Sequence, residues 1–268
     1  MNSPDIISFE PLHSTSEAFK EFLRECSVSL LLSTTDAGPA IGSATCVEIE
    51  DRLFVATVAH NFDKVKNFNA FSGNKGTNEA LKIIRDSCDY LPDKPDVAWL
   101  EVDRKSAERS KLKGIPLERI VPDAVLNSST IYFFTGTPAV LSKVEHVSDS
   151  PELVLTQLLM GSMLVDGIDP SADVIELELS NEPDNFIGPN EMPAPPGMSG
   201  GGIWVAEESD TLVWQVNLKL IGMGTSYFRN GNNLTKFNGV KMHHWLKLIS
   251  RDLPELQPTI HAFIEPNN

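Results

Sequence analysis

The sequence predicts an all-β protein with two strand-rich halves in succession and a short helix at each end. Short apolar or alternating runs of strand length recur along most of the chain, and turn residues separate them. Regular alternation of strands with long helices is missing from the pattern, which argues against an α/β fold. Tight strands joined by short turns are typical of antiparallel barrels and sandwiches.

The spacing of apolar residues predicts the two end helices. Between Glu17 and Cys26, four apolar side chains fall on one helical face: Ala18, Phe19, Phe22 and Leu23. Near the other end, apolar residues repeat with the period of an amphipathic helix at Val240, Trp245, Leu248 and Ile249.

The first half contains four predicted strands and a connector. The strands are Val28–Leu32, Ala44–Ile49, Leu53–Val58 and Val97–Val102. From Asn61 to Tyr90 the pattern weakens into a polar segment, which predicts a long loop that carries a short helix. The charged and proline-containing stretch Asp103–Asn127 is typical of a connector between two halves.

The second half follows the same pattern. Its predicted strands are Thr130–Phe134, Leu153–Leu158, Val174–Leu179, Gly202–Val205, Leu212–Asn217 and Leu220–Thr225. We therefore divide the chain into an N-terminal extension with its helix (1–27), the first half with the connector (28–127), the second half (128–239), and the C-terminal helix and tail (240–268).

Composition excludes several classes of function. The 268 residues are 41% apolar, and 22 basic against 37 acidic residues give a net charge of −15. This charge repels phosphate backbones and anionic lipids, so neither nucleic acid nor a membrane is an expected partner. No run approaches the ~20 apolar residues of a membrane-spanning helix.

A cytoplasmic location is expected. The N-terminus lacks the basic start and apolar core of a secretory signal. Three cysteines without CxxC spacing encode neither a disulfide framework nor a cysteine zinc site. His243 and His244 are neighbours near the start of the last helix and are predicted to point to different faces, so no metal site is predicted, and no cofactor is expected.

Three segments carry residues suited to nucleophilic catalysis. His60 lies just after the apolar strand Leu53–Val58, where an imidazole could act as a base, and Asp96 precedes the apolar run that begins at Val97. The third segment is Pro195-Pro196-Gly197-Met198-Ser199-Gly200-Gly201-Gly202. Its glycines allow a tight turn that exposes the serine hydroxyl and leaves backbone amides near it.

Together these segments resemble the three signatures of the trypsin-like serine peptidases of the chymotrypsin fold. The signatures stand here as Val58-Ala59-His60, Asp96-Val97-Ala98-Trp99-Leu100 and Gly197-Met198-Ser199-Gly200-Gly201, in the order His, Asp, Ser. Gly136-Thr137-Pro138 resembles a Gly-x-Pro sequence that often opens the second barrel of bacterial members.

The resemblance implies two antiparallel β-barrels with an active site in the cleft between them. His60 would be the general base and then the general acid, Asp96 would orient it, and Ser199 would attack the scissile carbonyl. Backbone N–H groups of Gly197 and Ser199 would form the oxyanion hole.

The chain departs from secreted members of that family at two positions. Asn61 stands where a cysteine follows the histidine, which resembles intracellular bacterial members without disulfides. Met198 stands where an aspartate receives a new N-terminus on zymogen activation, so activation by insertion of a new N-terminus is not expected.

The resemblance also suggests how substrate would bind. The strand after the nucleophile would place Thr225, Ser226 and Tyr227 along a groove for an extended peptide. The expected partners are therefore a protein or peptide substrate and, in addition, a regulatory or activating partner.

The leading prediction is a serine endopeptidase that forms an acyl-enzyme intermediate. One alternative is a catalytically silent, protease-like module that binds peptides, with the loop from Asn181 to Pro196 acting as a lid. The other is an ester-cleaving acyl hydrolase, although the α/β-hydrolase order requires a histidine after the serine, such as His243, His244 or His261.

Overall fold

A computed structural model describes most of the chain. The described residues are 21–34, 39–73, 79–88, 94–125, 132–139, 142–147, 150–154, 158–164, 173–178, 196–207, 217–230 and 233–265. The start of the predicted N-terminal helix, most of the predicted strand Leu212–Asn217 and nearly all of the suggested lid lie outside them.

The first half folds into one curved antiparallel sheet. Its strands are β1 (Ser27–Thr34), β2 (Pro39–Ile49), β3 (Arg52–Thr57), β4 (Val65–Ser72), β5 (Ile83–Ser87), β6 (Ala98–Val102) and β7 (Ile115–Pro116). The strand order is β4-β1-β2-β3-β6-β5, and the short β7 pairs with β2 in parallel. A hydrogen bond of 2.7 Å from Leu81 N–H to the carbonyl of Ala70 ties the chain ahead of β5 to β4, so the sheet curls toward a barrel.

The second half forms a closed barrel. Its strands are β8 (Tyr132–Gly136), β11 (Leu158–Leu164), β12 (Val174–Glu178), β13 (Gly202–Glu207), β14 (Asn217–Asn230) and β15 (Asn233–Lys241), in the order β11-β12-β15-β14-β13-β8. A separate hairpin consists of β9 (Lys143–Val147) and β10 (Ser150–Val154).

Helices lie at the two ends of the described chain and in the connector. They are α1 (described over 21–26), α2 (Arg104–Arg109), α3 (Met242–Asp252) and α4 (Gln257–Ile264), with 3-10 turns at Ala59–Phe62, Leu117–Arg119 and Pro254–Leu256. Within the described ranges, none of the helices is long and apolar enough to cross a lipid bilayer.

The predicted fold class is confirmed: the chain is mainly antiparallel β, with two strand-rich halves and few helices. The loop predicted from Asn61 to Tyr90 is wrong, because β4 and β5 occupy much of it. These strands border the first sheet and expose several polar side chains, which hides the apolar alternation of a strand. Of the predicted strand Leu153–Leu158, the first two residues end β10 and the last begins β11, and residues 155–157 lie outside the described ranges.

One hydrophobic cluster joins the two halves. It contains Phe54 and Trp99 from the first sheet, Trp204 and Met223 from the second barrel, and Trp245 from α3, each at most 3% exposed. Because the same cluster packs against both halves, it fixes the cleft in which the predicted catalytic segments meet.

Candidate active site

The pairing of β3 with β6 brings His60 next to Asp96. Thr57 at the end of β3 lies opposite Ala98 at the start of β6. In an antiparallel pair, the chain leaving one strand lies beside the chain entering the other. His60 therefore stands in the 3-10 turn just after β3, and Asp96 stands just before β6.

The carboxylate of Asp96 holds His60 at two points. Its Oδ2 lies 2.5 Å from Nδ1 of the His60 ring, and its Oδ1 accepts a 2.9 Å hydrogen bond from the His60 backbone N–H. The side chain of His60 is 34% exposed. This arrangement fixes the ring, assigns the proton to Nδ1 and leaves Nε2 as the basic nitrogen.

Two glycines with positive φ shape the turn that carries Ser199. Gly197 has a φ of 97° and Gly200 has a φ of 90°. A Cβ on Gly197 would lie 2.6 Å from the carbonyl oxygen of Thr137, and one on Gly200 would collide with the carbonyl oxygen of Ser43. Both the backbone conformation and the lack of space therefore require glycine here.

Polar groups of the first sheet bind the backbone of this turn. The carbonyl of Ser199 accepts hydrogen bonds from Ser43 N–H at 2.9 Å and from the Asn61 side-chain amide at 3.0 Å. The Ser43 hydroxyl donates to the carbonyl of Gly197 at 2.7 Å and accepts from Thr137 N–H at 2.7 Å. The turn that carries Ser199 is thus held against the element that carries His60.

The turn is anchored to the second barrel as well. Met198 is 1% exposed and packs in the core of that barrel. Gly200 N–H donates to the carbonyl of Gly224 at 2.8 Å, and Gly224 N–H donates to the carbonyl of Gly201 at 2.9 Å. With its neighbour Met198 buried and its carbonyl bonded, Ser199 has little freedom except in its hydroxyl.

The Ser199 hydroxyl donates a hydrogen bond of 3.3 Å to the carbonyl of Thr225 on β14. The Pro196 carbonyl accepts from Ala139 N–H at 2.8 Å, so the planar peptide turns Gly197 N–H to the opposite side. Neither Gly197 N–H nor Ser199 N–H donates to another described residue, which leaves two backbone donors near the serine.

The strand beside the serine is β14. It pairs with β13 from Asn217 to Met223 and with β15 as far as Asn230. The register with β15 shifts between Gly224 and Ser226, which makes a bulge at Thr225. Thr225 and Tyr227 are half-buried, with Tyr227 packed against the second-barrel core, whereas Ser226 is exposed.

The structure therefore brings the segments that carry His60, Asp96 and Ser199 next to one another, with Thr225 beside Ser199. His60 and Asp96 are in direct contact, and Ser199 is hydrogen-bonded to the residue that follows His60. The supporting contacts of three residues could not be predicted from the sequence: Ser43, Asn61 and Thr137. Their partners lie 94 to 154 residues away along the chain, and local patterns carry no signal for such contacts.

No family model and no curated protein matches the chain by sequence. Solved structures resemble it across most of its length. The chain has the double-barrel fold of the trypsin-like serine proteases. The thermostable serine protease AL20 from an extremophilic microorganism is 12% identical with a TM-score of 0.51, and the match covers 91% of this chain and 99% of AL20.

Two other serine proteases have the same fold. The serine endoprotease from Yersinia pestis is 14% identical with a TM-score of 0.51, over 95% of this chain and 68% of that protein. The HtrA-type protease AlgW, solved with a tripeptide, is 12% identical with a TM-score of 0.50, over 95% of this chain. The chain spans 64% of the length of the AlgW structure.

Proposed function

We propose that this protein is a serine endopeptidase that hydrolyses peptide bonds through an acyl-enzyme intermediate. One observation carries the proposal. Asn61, which follows His60, donates a hydrogen bond to the carbonyl of Ser199 across the cleft, while Asp96 holds the ring of His60. A nucleophile, a base and a group that orients the base are thereby supplied by three segments at one site.

In the first half of the proposed reaction, the Ser199 hydroxyl turns from the carbonyl of Thr225 toward Nε2 of His60. Oγ attacks the substrate carbonyl carbon as Nε2 takes the proton, and Asp96 stabilises the resulting imidazolium. The carbonyl π electrons move to oxygen, which the N–H groups of Gly197 and Ser199 stabilise. The tetrahedral intermediate then expels the amine, which takes the proton from His60.

In the second half, water replaces the amine. His60 takes a proton from the water, and the oxygen of the water attacks the acyl carbon of the ester on Ser199. Collapse of the second tetrahedral intermediate releases the carboxylic acid and returns the proton to Oγ of Ser199. The cycle leaves the enzyme unchanged and needs no cofactor.

We propose that the substrate is a protein or peptide segment bound in extended form along β14. An extended peptide beside a strand gains affinity from main-chain hydrogen bonds and specificity from alternate side-chain positions. Thr225, whose carbonyl accepts the Ser199 hydrogen bond, is followed along β14 by Ser226 and Tyr227, and exposure alternates along these three residues. They are the residues that we assign to the peptide groove.

The hydrogen bond from Ser199 to Thr225 also favours a second candidate function. A hydroxyl that stays bound to this carbonyl would not be activated, and the cleft would then bind peptides without cleaving them. The two functions differ in a measurable property, the reactivity of the Ser199 oxygen.

The test is covalent labelling with a fluorophosphonate, followed by mass spectrometry of the labelled peptide. We expect one phosphonyl group on Ser199 of the full chain. Ser199→Ala should lose the label, and His60→Ala should slow labelling by at least about 100-fold because the general base is gone. Ser33→Ala removes an exposed serine outside the cleft and serves as the matched control, with an unchanged rate.

Labelling of Ser199 that does not depend on His60, or unchanged labelling of the Ser199→Ala variant, would contradict the proposed mechanism. Absence of labelling in a folded protein that still binds extended peptides would favour the silent module.

We also propose that the protein acts in the cytoplasm. Cys26 and Cys46 are buried in the core and form no disulfide. Free thiols are the ordinary state of cysteine in a reducing compartment.

A further inference from the structure

Two histidine rings lie against each other at the start of α3. The ring centroids of His243 and His244 are 3.8 Å apart, with an angle of 42° between the ring planes. Neighbouring side chains on a helix diverge by about 100°, so the sequence predicted that these two would separate. In the structure, both rings instead turn toward the same point.

A carboxylate lies at that point. Asp173, just ahead of β12, places Oδ1 3.8 Å from Nε2 of His243 and Oδ2 3.8 Å from Nε2 of His244. One potential ligand atom from each of the three residues lies within 4.8 Å of the others. The pairing of Val174 with Val240 fixes the start of β12 beside the start of α3, so the grouping is part of the fold.

A second carboxylate lies behind His243. Oδ1 of Asp123 is 2.5 Å from Nδ1 of His243, and the His243 N–H donates to the neighbouring carbonyl of Pro122 at 3.1 Å. The side chain of His243 is only 6% exposed, yet within the described part of the chain its Nδ1 makes no hydrogen bond of good geometry. A buried ring nitrogen normally has a hydrogen-bond partner. Nδ1 of His243 lacks one of good geometry, although a carboxylate is within reach.

We propose that His243, His244 and Asp173 bind a divalent transition-metal ion of the Zn²⁺ class. Two imidazole nitrogens and a carboxylate, with a position open for water, are ligands that Zn²⁺ commonly takes. Mg²⁺ and Ca²⁺ prefer oxygen ligands, so they fit this donor set poorly. Bonds of about 2.0–2.2 Å need ligand atoms roughly 3.3 Å apart, which small side-chain rotations from 3.8 Å provide.

Asp123 is the positioning residue of this site. When Nε2 of a histidine binds a metal, its Nδ1–H usually donates to a carboxylate, which fixes the tautomer and makes the ligand more basic. Asp123 is placed to accept that hydrogen bond once the ring turns toward the ion. The two carboxylates also offset the positive end of the α3 helix dipole, which by itself would oppose a cation.

The site would join three segments that are distant in sequence: the connector at Asp123, the residue just before β12 (Asp173), and α3. It does not include the proposed catalytic residues, so the metal proposal is independent of peptidase activity.

The experiment titrates the chelator-treated full chain with Zn²⁺ in a calorimeter and records thermal unfolding with and without the metal. We expect one equivalent of Zn²⁺ to bind and to raise the unfolding temperature, since an ion that binds only the folded state stabilises it. Co²⁺ should give the visible absorption of a nitrogen- and oxygen-ligated ion, and Mg²⁺ should produce no shift.

The variants test each assigned residue. Asp173→Asn and His244→Gln change side chains outside the buried core, and each should weaken Zn²⁺ binding by at least about 100-fold. Asp123→Asn should weaken it by about 10–100-fold, because it removes only the positioning carboxylate. His261→Gln removes an exposed histidine of α4 and is the matched control, with unchanged affinity.

The metal-free unfolding temperatures of Asp173→Asn and His244→Gln should equal that of the parent, which separates lost binding from lost folding. Failure of the parent to bind Zn²⁺, or equal affinity in the parent and in these two variants, would overturn the proposal. Loss of binding in His261→Gln would show a different site and would overturn it too.

Discussion

The side-chain amide of Asn61 joins the two halves of the molecule beside the histidine. Its Nδ2 donates to the carbonyl of Ser199 at 3.0 Å and to the hydroxyl of Thr57 at 3.2 Å. Asn61 is 9% exposed, so its hydrogen bonds form in a largely water-free environment. This amide couples the position of the His60 turn to the position of the turn that carries Ser199.

We predict that Asn61→Asp slows labelling of Ser199 by about 10- to 100-fold. The change puts a carboxylate oxygen against the Ser199 carbonyl, and losing a buried hydrogen-bond donor costs about 1–3 kcal/mol. The rate of fluorophosphonate labelling measures the effect. Asn67→Asp, an exposed position on β4, is the matched control and should label at the parent rate. Equal rates for both variants would mean that Asn61 does not position the nucleophile.

Gly197 provides a second test at the scale of single residues. Gly197→Ala adds a Cβ at 2.6 Å from the Thr137 carbonyl oxygen in a residue with a φ of 97°. The peptide must move, which misplaces the N–H assigned to the oxyanion. Loss of one such donor costs about 2.7–4 kcal/mol, so we expect labelling to slow by about 10²–10³-fold. Thermal unfolding should still show a folded protein, and an unchanged labelling rate would remove Gly197 from the oxyanion hole.

At the scale of elements, an ion-pair network ties β3, β5 and β6 together. Glu101 on β6 is 6% exposed and accepts two hydrogen bonds from Arg52, at 2.7 and 3.0 Å, and one from Arg85 at 2.8 Å. Arg52 also donates to Glu255 in the turn before α4, at 2.9 Å. The network therefore attaches the C-terminal turn to the first sheet.

The charge of Glu101 makes part of the stability dependent on pH. Burial raises the pKa of Glu101, but its hydrogen bonds from Arg52 and Arg85 outweigh burial and hold the pKa below its ordinary value of 4.5. The folded state then binds protons less readily than the unfolded chain. The stabilisation is complete above about pH 4.5 and is lost as the pH falls through the lower pKa of the folded state.

We predict that Glu101→Gln lowers the free energy of unfolding by about 1–3 kcal/mol at pH 7, because it replaces charge-assisted hydrogen bonds with weaker ones. The difference from the parent should shrink as the pH falls below 4.5. Urea unfolding at a series of pH values measures both effects. Glu255→Gln, at a carboxylate that is 52% exposed, should have a smaller effect. A difference that stays constant with pH would contradict the role of the charge.

Strands could be predicted where one face is buried in the core. β3 has five buried residues out of six and β6 is buried throughout, so most of their residues are apolar, with Glu101 as the charged exception in β6. β4 and β5 expose polar side chains on both faces, and pairing with their neighbours decides their conformation. Such strands are determined by tertiary context and cannot be distinguished from loops in the sequence alone.

At the scale of the whole molecule, some residues of the candidate site belong to local sequence motifs, whereas others depend on contacts between distant segments. His60, Asp96 and Ser199 could be selected as candidates from the sequence, because their local motifs occur in a familiar order, and the contact between His60 and Asp96 is present in the structure. Asn61 and the pair of histidines at the start of α3 could not, because their roles depend on contacts between distant segments. A single sequence does not reveal which residues of the second barrel will contact residues of the first half.

The hydrophobic cluster shared by the two halves links their stabilities. Trp99 comes from the first sheet and Trp204 from the second barrel, and both belong to the cluster that contains Trp245 of α3. The indole N–H of Trp245 donates to the carbonyl of Ala98 at 2.9 Å, and that of Trp99 donates to Asp252 at 3.1 Å. Separating the halves would expose this cluster to water, which opposes partial unfolding.

We therefore predict that both halves unfold in one cooperative transition. Fluorotryptophan incorporation gives each tryptophan its own ¹⁹F resonance, which a Trp→Phe variant assigns. In urea, the native resonances of Trp99, Trp204 and Trp245 should vanish with one common midpoint, because loss of either half removes the packing of the other. If the Trp99 and Trp204 curves had separate midpoints, the halves would be independent folding units, and the cleft would depend on their docking rather than on a shared core.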